Sequence, residues 1–113
     1  MLKALNFSEL GKGDLIPQAI IRKPISYFEN QGFDFVLDSD ALDAFDGAAF
    51  LLDGLPFALV HHRGYPDDEI TVCLTRDFGH DIEKITASIR RILVALNLSS
   101  ESLVWERKND PDL

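Results

Sequence analysis

The sequence Leu-Asp-Gly-Leu at residues 52–55 constrains the fold more than any other feature, because it separates two apolar runs. An Asp-Gly pair in this setting is typical of a two-residue β-hairpin turn, in which both central residues need positive φ. With Asp53 and Gly54 as the loop, the predicted pairs are Leu52 with Leu55, Phe50 with Phe57, Ala48 with Leu59 and Asp46 with His61. A slip by one residue would move the large apolar side chains to the opposite face, so we expect this register to be firmly held.

Two further patterns complete the predicted core layer. Residues 69–75 alternate apolar with polar side chains, which predicts a strand. Residues 81–97 carry isoleucine and leucine at three- and four-residue spacing, which predicts an amphipathic helix. We therefore expect an α+β protein, with a three- to four-stranded antiparallel sheet (a meander) and one main helix packed on one face. The expected core residues are Phe50, Phe57, Leu59, Ile70, Val72 and Leu74.

The remainder of the chain is predicted less fully. Pro17 and Pro24 interrupt any long helix, so short helical turns are expected around residues 7–10 and 25–31. A chain of 113 residues is the usual size of one domain. Its predicted parts are an N-terminal segment (1–32), strands and hairpins (33–75), the helix (81–97), a closing strand (103–107) and a tail (109–113).

The sheet face opposite the helix is predicted to be unusually apolar. An antiparallel sheet with one solvated face should alternate apolar with polar residues, and the two hairpin strands do not. This face is a candidate interface, formed by Ala49, Leu51, Ala58, Val60 and Cys73. Two covers are consistent with it: the N-terminal residues 16–28, or a second subunit related by a two-fold axis.

No catalytic set is predicted. Adjacent strand residues point to opposite faces, so His61 and His62 cannot bind one metal ion together. His62 shares a face with Cys73, and a Cys–His nucleophile is geometrically conceivable there. A cysteine within an alternating strand is more often a buried small hydrophobe, which favours a structural role for Cys73.

Polar side chains surround the second strand connection. Arg63, Tyr65, Arg76 and His80 are candidate ligand-binding residues if they converge on one edge of the sheet. The aspartate-rich residues 38–47 do not match a calcium loop, because Leu42 occupies the fifth position, where that loop needs an oxygen ligand. We therefore predict no metal and no cofactor.

The charge balance narrows the range of partners. The chain has 11 basic and 19 acidic residues, a net charge of −8, which argues against nucleic-acid binding. Residues 26–60 contain seven acids and no lysine or arginine. Such acids are expected in turns and at solvated strand edges, and the segment can also attract a basic partner. No apolar run approaches the roughly 18 residues of a transmembrane helix, so no membrane association is expected. The single cysteine fits a reducing compartment, and we expect a cytoplasmic protein.

These observations favour a binding module over an enzyme. The first interpretation is a protein–protein interaction or regulatory module of immunity or adaptor type, with a protein partner or as a homodimer. The second is a small enzyme or ligand-binding domain with a polar site near the second strand connection. A concave pocket holding His62, Tyr65 and their neighbours would favour the second, whereas an exposed apolar surface would favour the first. We expect the protein not to be an enzyme.

Overall fold

The computed structural model describes residues 2–10, 15–39, 44–75 and 81–107, and within them seven strands form one antiparallel sheet. The strands are β1 (Leu2–Leu5), β2 (Leu15–Arg22), β3 (Val36–Ser39), β4 (Ala44–Leu52), β5 (Leu55–His62), β6 (Glu69–Thr75) and β7 (Leu103–Glu106). The α-helices are α1 (Ile25–Glu29) and α2 (Ile82–Ala95), and 3₁₀ helices span Phe7–Leu10 and Ser100–Ser102. No helix of this part of the chain is long and apolar enough to cross a membrane.

The strand order corrects the expected architecture. The order is β1-β4-β5-β6-β2-β7, and β3 also pairs with β4. β3 pairs with the first half of β4 and β1 with its second half, so the two short strands share one outer edge of the sheet. The predicted meander of three to four strands is wrong, because the N-terminal third contributes β1 and β2, and β2 lies between β6 and β7. The α+β class is correct.

Strand β2 was difficult to predict from the sequence because it contains Pro17. The pairing of β2 with β6 shifts register between Pro17 and Ala19, which marks a β-bulge. Proline lacks the amide donor that a regular ladder needs, and a bulge is one of the few places where a strand tolerates it. The two helical turns expected beside it are confirmed as the 3₁₀ helix Phe7–Leu10 and as α1.

The β4–β5 hairpin has the predicted register. Leu52 lies opposite Leu55, Phe50 opposite Phe57, Ala48 opposite Leu59 and Asp46 opposite His61. Asp53 and Gly54 have φ of 48° and 88°, as a type I′ turn requires. The Asp53–Gly54 turn therefore determines the register between strands β4 and β5.

The helix α2 packs as its apolar stripe predicts. The Asp81 side chain caps its start by accepting hydrogen bonds from the amides of Glu83 and Lys84, at 3.0 and 3.3 Å. Asn97, with φ of 60°, follows its last turn. Ile85 and Ile89 are buried against the sheet. All six predicted core residues of the sheet belong to the same buried cluster, which confirms the core: Phe50, Phe57, Leu59, Ile70, Val72 and Leu74.

The opposite face of the sheet holds a second, smaller apolar cluster. Its buried members are Leu10, Phe45, Ala49, Ala58, Val60 and Cys73, with Leu5 and Leu15 packed against them. The expected cover by residues 16–28 is wrong, because most of that segment is strand β2 itself and Phe28 belongs to the core on the α2 side. Residues from β1, the first 3₁₀ helix and the start of β2 cover this face instead.

Candidate functional site

Cys73 and His62 are not brought together. Cys73 lies opposite Ala58 in the β5–β6 ladder. His62 is four residues beyond Ala58, which corresponds to about 13 Å along the strand. Burial raises the pKa of the Cys73 thiol from its ordinary value of 9.0 to about 12. A protonated, buried thiol is a poor nucleophile, so this pair has no features of a catalytic site.

His62 lies among aromatic rings rather than polar groups. Its ring centroid is 5.8 Å from that of Phe45 and 5.4 Å from that of Tyr65. The Nδ1 atoms of His61 and His62 are both buried and have no hydrogen-bond partner in the described structure. A catalytic imidazole needs a third group to orient it, and among the described residues no such group contacts either Nδ1 atom.

The predicted ligand-binding residues are only partly described. Arg63 and Tyr65 are exposed in the β5–β6 connection, where the Tyr65 amide donates to the His62 carbonyl at 3.2 Å. Arg76 and His80 lie outside the described residues, so their convergence with Tyr65 remains a prediction.

The predicted interface residues lie mostly inside the chain. Ala49, Ala58, Val60 and Cys73 are each no more than 3% exposed, and Leu51 is partly buried. The first four are members of the second apolar cluster, so they do not form a free surface.

Two grooves run along α2 beside the β4–β5 turn. One, of about 430 Å³, is lined by residues that include Asp53, Arg90 and Arg91; the other, of about 560 Å³, includes Lys84 and Ser88. Neither groove includes His62, Arg63 or Tyr65. Arg91 donates to the Leu52 carbonyl at 3.3 Å, and Arg90 donates to the Glu106 carboxylate at 2.9 and 3.3 Å. Both guanidinium groups are thus engaged with the protein itself.

Among the described residues, four exposed large apolar side chains lie at the two outer edges of the sheet, and Val94 of α2 and Tyr65 of the β5–β6 connection are exposed elsewhere. On β3, Val36 is 53% and Leu37 is 64% exposed. On β7, Val104 and Trp105 are 43% and 42% exposed. Because neighbouring residues of a strand point to opposite faces, each pair places apolar surface on both sides of its edge.

These edge residues were missed as a site in the sequence, although a signal was present. Strands were predicted within residues 33–75 and at residues 103–107, and these segments contain the adjacent large apolar residues Val36–Leu37 and Val104–Trp105. The side chains of two adjacent strand residues point to opposite faces of the sheet. Adjacent apolar residues in a short strand therefore indicate either a strand buried on both faces or an edge with exposed apolar surface.

No three His, Cys, Asp or Glu side chains are grouped so as to hold a metal ion within residues 2–10, 15–39, 44–75 and 81–107. Comparison of the chain with known proteins finds no matching family model, no matching curated protein and no matching solved structure.

Proposed function

We propose that this protein is a protein–protein interaction module, of adaptor or regulatory type, that binds through an outer edge of its sheet. One observation carries the proposal: Val36 and Leu37 are both more than half exposed on β3. No strand among the described residues pairs with the outer side of β3. An exposed apolar edge strand is a template for pairing with another chain, and proteins without such a partner usually protect the edge.

The opposite edge supports the choice of β3, because β7 has the protective features that β3 lacks. The β2–β7 pairing shifts register between Ile20 and Ile21, and a bulge twists an edge away from further pairing. Glu106 of β7 is bonded to Arg90 of α2. By contrast, the β3–β4 pairing runs from Val36 to Ser39 without a shift.

The enzyme alternative has less support. The buried thiol of Cys73 and the distance between Cys73 and His62 argue against nucleophilic catalysis. Of the described polar residues of the second strand connection, neither Arg63 nor Tyr65 lines the two grooves beside α2. A cytoplasmic location is part of the proposal, because the single cysteine is free and buried and suits a reducing compartment.

Site-specific photo-crosslinking in the native host tests this function. A benzophenone amino acid is placed at position 37 and, as a matched control, at position 94 of α2, where Val94 is 75% exposed. We expect a discrete adduct with another protein from position 37 and none from position 94. The same adducts at both positions, or no adduct at position 37, would contradict the proposal.

A further inference from the structure

We infer that the partner presents an extended, basic segment that adds to the sheet as a strand along the outer edge of β3. This inference rests on the proposed function and specifies the chemistry of the partner. In strand addition, main-chain hydrogen bonds supply affinity, and the side chains on either side of the new strand supply selectivity.

The main chain of β3 is oriented for such an addition. The type I′ turn at Asp53 and Gly54 makes Leu52 and Leu55 a hydrogen-bonded pair, and such pairs alternate along an antiparallel ladder. Even-numbered residues of β4 therefore bond β5, and odd-numbered residues, including Gly47, bond β3. Val36 lies opposite Gly47, so the amide and carbonyl of Leu37, the next residue, point to the outer edge.

The surroundings of this edge are acidic. Asp34, just before β3, is exposed, and Asp46 of β4 lies directly opposite Leu37. The sequence contains no lysine or arginine from residue 26 to residue 60. Of the described bases, Lys3 pairs with Leu51, four positions beyond Gly47 along the same side of β4. Arg63 lies on the far side of β4 from β3, where its amide donates to the Ala44 carbonyl at 3.3 Å. Lysine or arginine side chains on an added strand would find carboxylates there, whereas glutamate or aspartate would be repelled.

The same charges disfavour a second copy of this chain as the occupant. Two β3 edges paired about a two-fold axis would bring two acidic segments together, each part of a chain with a net charge of −8. Like charges on adjacent strands destabilise the pairing. The acidic edge therefore fits a basic partner better than it fits itself.

A synthetic peptide tests the inference directly. The probe is a labelled, end-capped peptide of eight residues that alternates lysine with isoleucine, measured by fluorescence anisotropy with the full chain. One control is the matching glutamate–isoleucine peptide. The other is a lysine–isoleucine peptide methylated at every backbone amide nitrogen, which keeps the charge but cannot donate main-chain hydrogen bonds. We expect both controls to bind at least about tenfold more weakly than the probe: the N-methylated peptide because it loses main-chain hydrogen bonds, and the glutamate peptide because its charges are repelled by the acidic edge.

Two variants localise the binding. Leu37→Lys and Trp105→Lys add the same charge at opposite edges of the sheet, and both positions are exposed. We expect Leu37→Lys to abolish binding of the probe and Trp105→Lys to retain most of it. Leu37→Pro removes one outward-pointing amide while leaving the β4 pairing intact, and we expect about a tenfold loss.

Three results would overturn the inference: equal losses in the two lysine variants, equal binding of the glutamate peptide, or a dimer of the chain that Leu37→Lys dissociates. If the probe fails to bind while position 37 still cross-links to a protein, the basic strand is wrong and the interaction function stands. If neither occurs, both proposals fail.

Discussion

Leu37 of β3 lies directly opposite Asp46 of β4, and its side chain is 64% exposed at the outer edge of the sheet. A large apolar side chain at this position contributes little to folding, because so little of its surface is removed from water. Its neighbour Val36 is also more than half exposed, on the other side of the strand. We attribute the apolar surface on both sides of this edge strand to the proposed binding function and not to stability.

The main core gives the first prediction. Ile89 is fully buried on the face of α2 that packs against the sheet, so Ile89→Ala should lower the free energy of unfolding by about 2–5 kcal/mol. Val94→Ala, on the exposed side of the same helix, should change it by less than about 0.5 kcal/mol. Urea unfolding followed by circular dichroism measures both. A loss below about 1 kcal/mol for Ile89→Ala would mean that the helix does not pack as described.

The second apolar cluster gives another prediction. Val60 is 3% exposed, so Val60→Glu would bury an unpaired carboxylate and should cost about 3 kcal/mol or more. Val94→Glu introduces the same charge at a position of α2 that is 75% exposed and should leave the melting temperature close to that of the wild type. If Val60→Glu melts within about 1 °C of the wild type, this face is open to water and the intramolecular cover is wrong.

The buried thiol predicts a specific dependence of stability on pH. The pKa of Cys73 is raised to about 12 by burial, so the folded chain keeps its proton while the unfolded chain loses it above pH 9.0. The contribution of Cys73 to the free energy of unfolding is therefore fully present below pH 9.0. It is lost as the pH rises toward 12, by about 1.4 kcal/mol per pH unit.

The comparison of wild type with Cys73→Ala isolates this effect, since all other titrating groups are shared. Below pH 9.0 the difference in unfolding free energy between the two proteins should be constant. Above pH 9.0 the unfolding free energy of the wild type should fall relative to that of Cys73→Ala. The native thiol should also resist a thiol reagent at pH 8. A constant difference up to pH 10.5, or rapid labelling of the folded chain, would show that the thiol is accessible.

The parts of the fold that the sequence predicted are those that local interactions determine. Asp53 and Gly54 set the hairpin register, and the isoleucine spacing of α2 sets its buried face. β1 and β2 were not predicted, because their partners β4 and β6 are distant in the sequence and local patterns carry no information about which strands pair. Pro17 obscured β2 further by lying at a bulge.

The candidate site was harder to predict for the same reason. An apolar face opposite a helix looks like an interface when nothing in the sequence indicates its cover. Here Leu10 and Leu15 reach it from segments whose position depends on the whole sheet. Likewise, Val36 and Leu37 become an edge only because β3 pairs with β4 and with no other described strand.

The central claim is that the outer edge of β3 binds an added strand, and nuclear magnetic resonance tests it residue by residue. The ¹⁵N-labelled chain is titrated with the lysine–isoleucine peptide while amide shifts and hydrogen exchange are recorded. We predict that the largest changes fall on residues 36–39 and that the Leu37 amide becomes protected from exchange. Changes centred on β7 or on the grooves beside α2, with the Leu37 amide unprotected, would contradict the account.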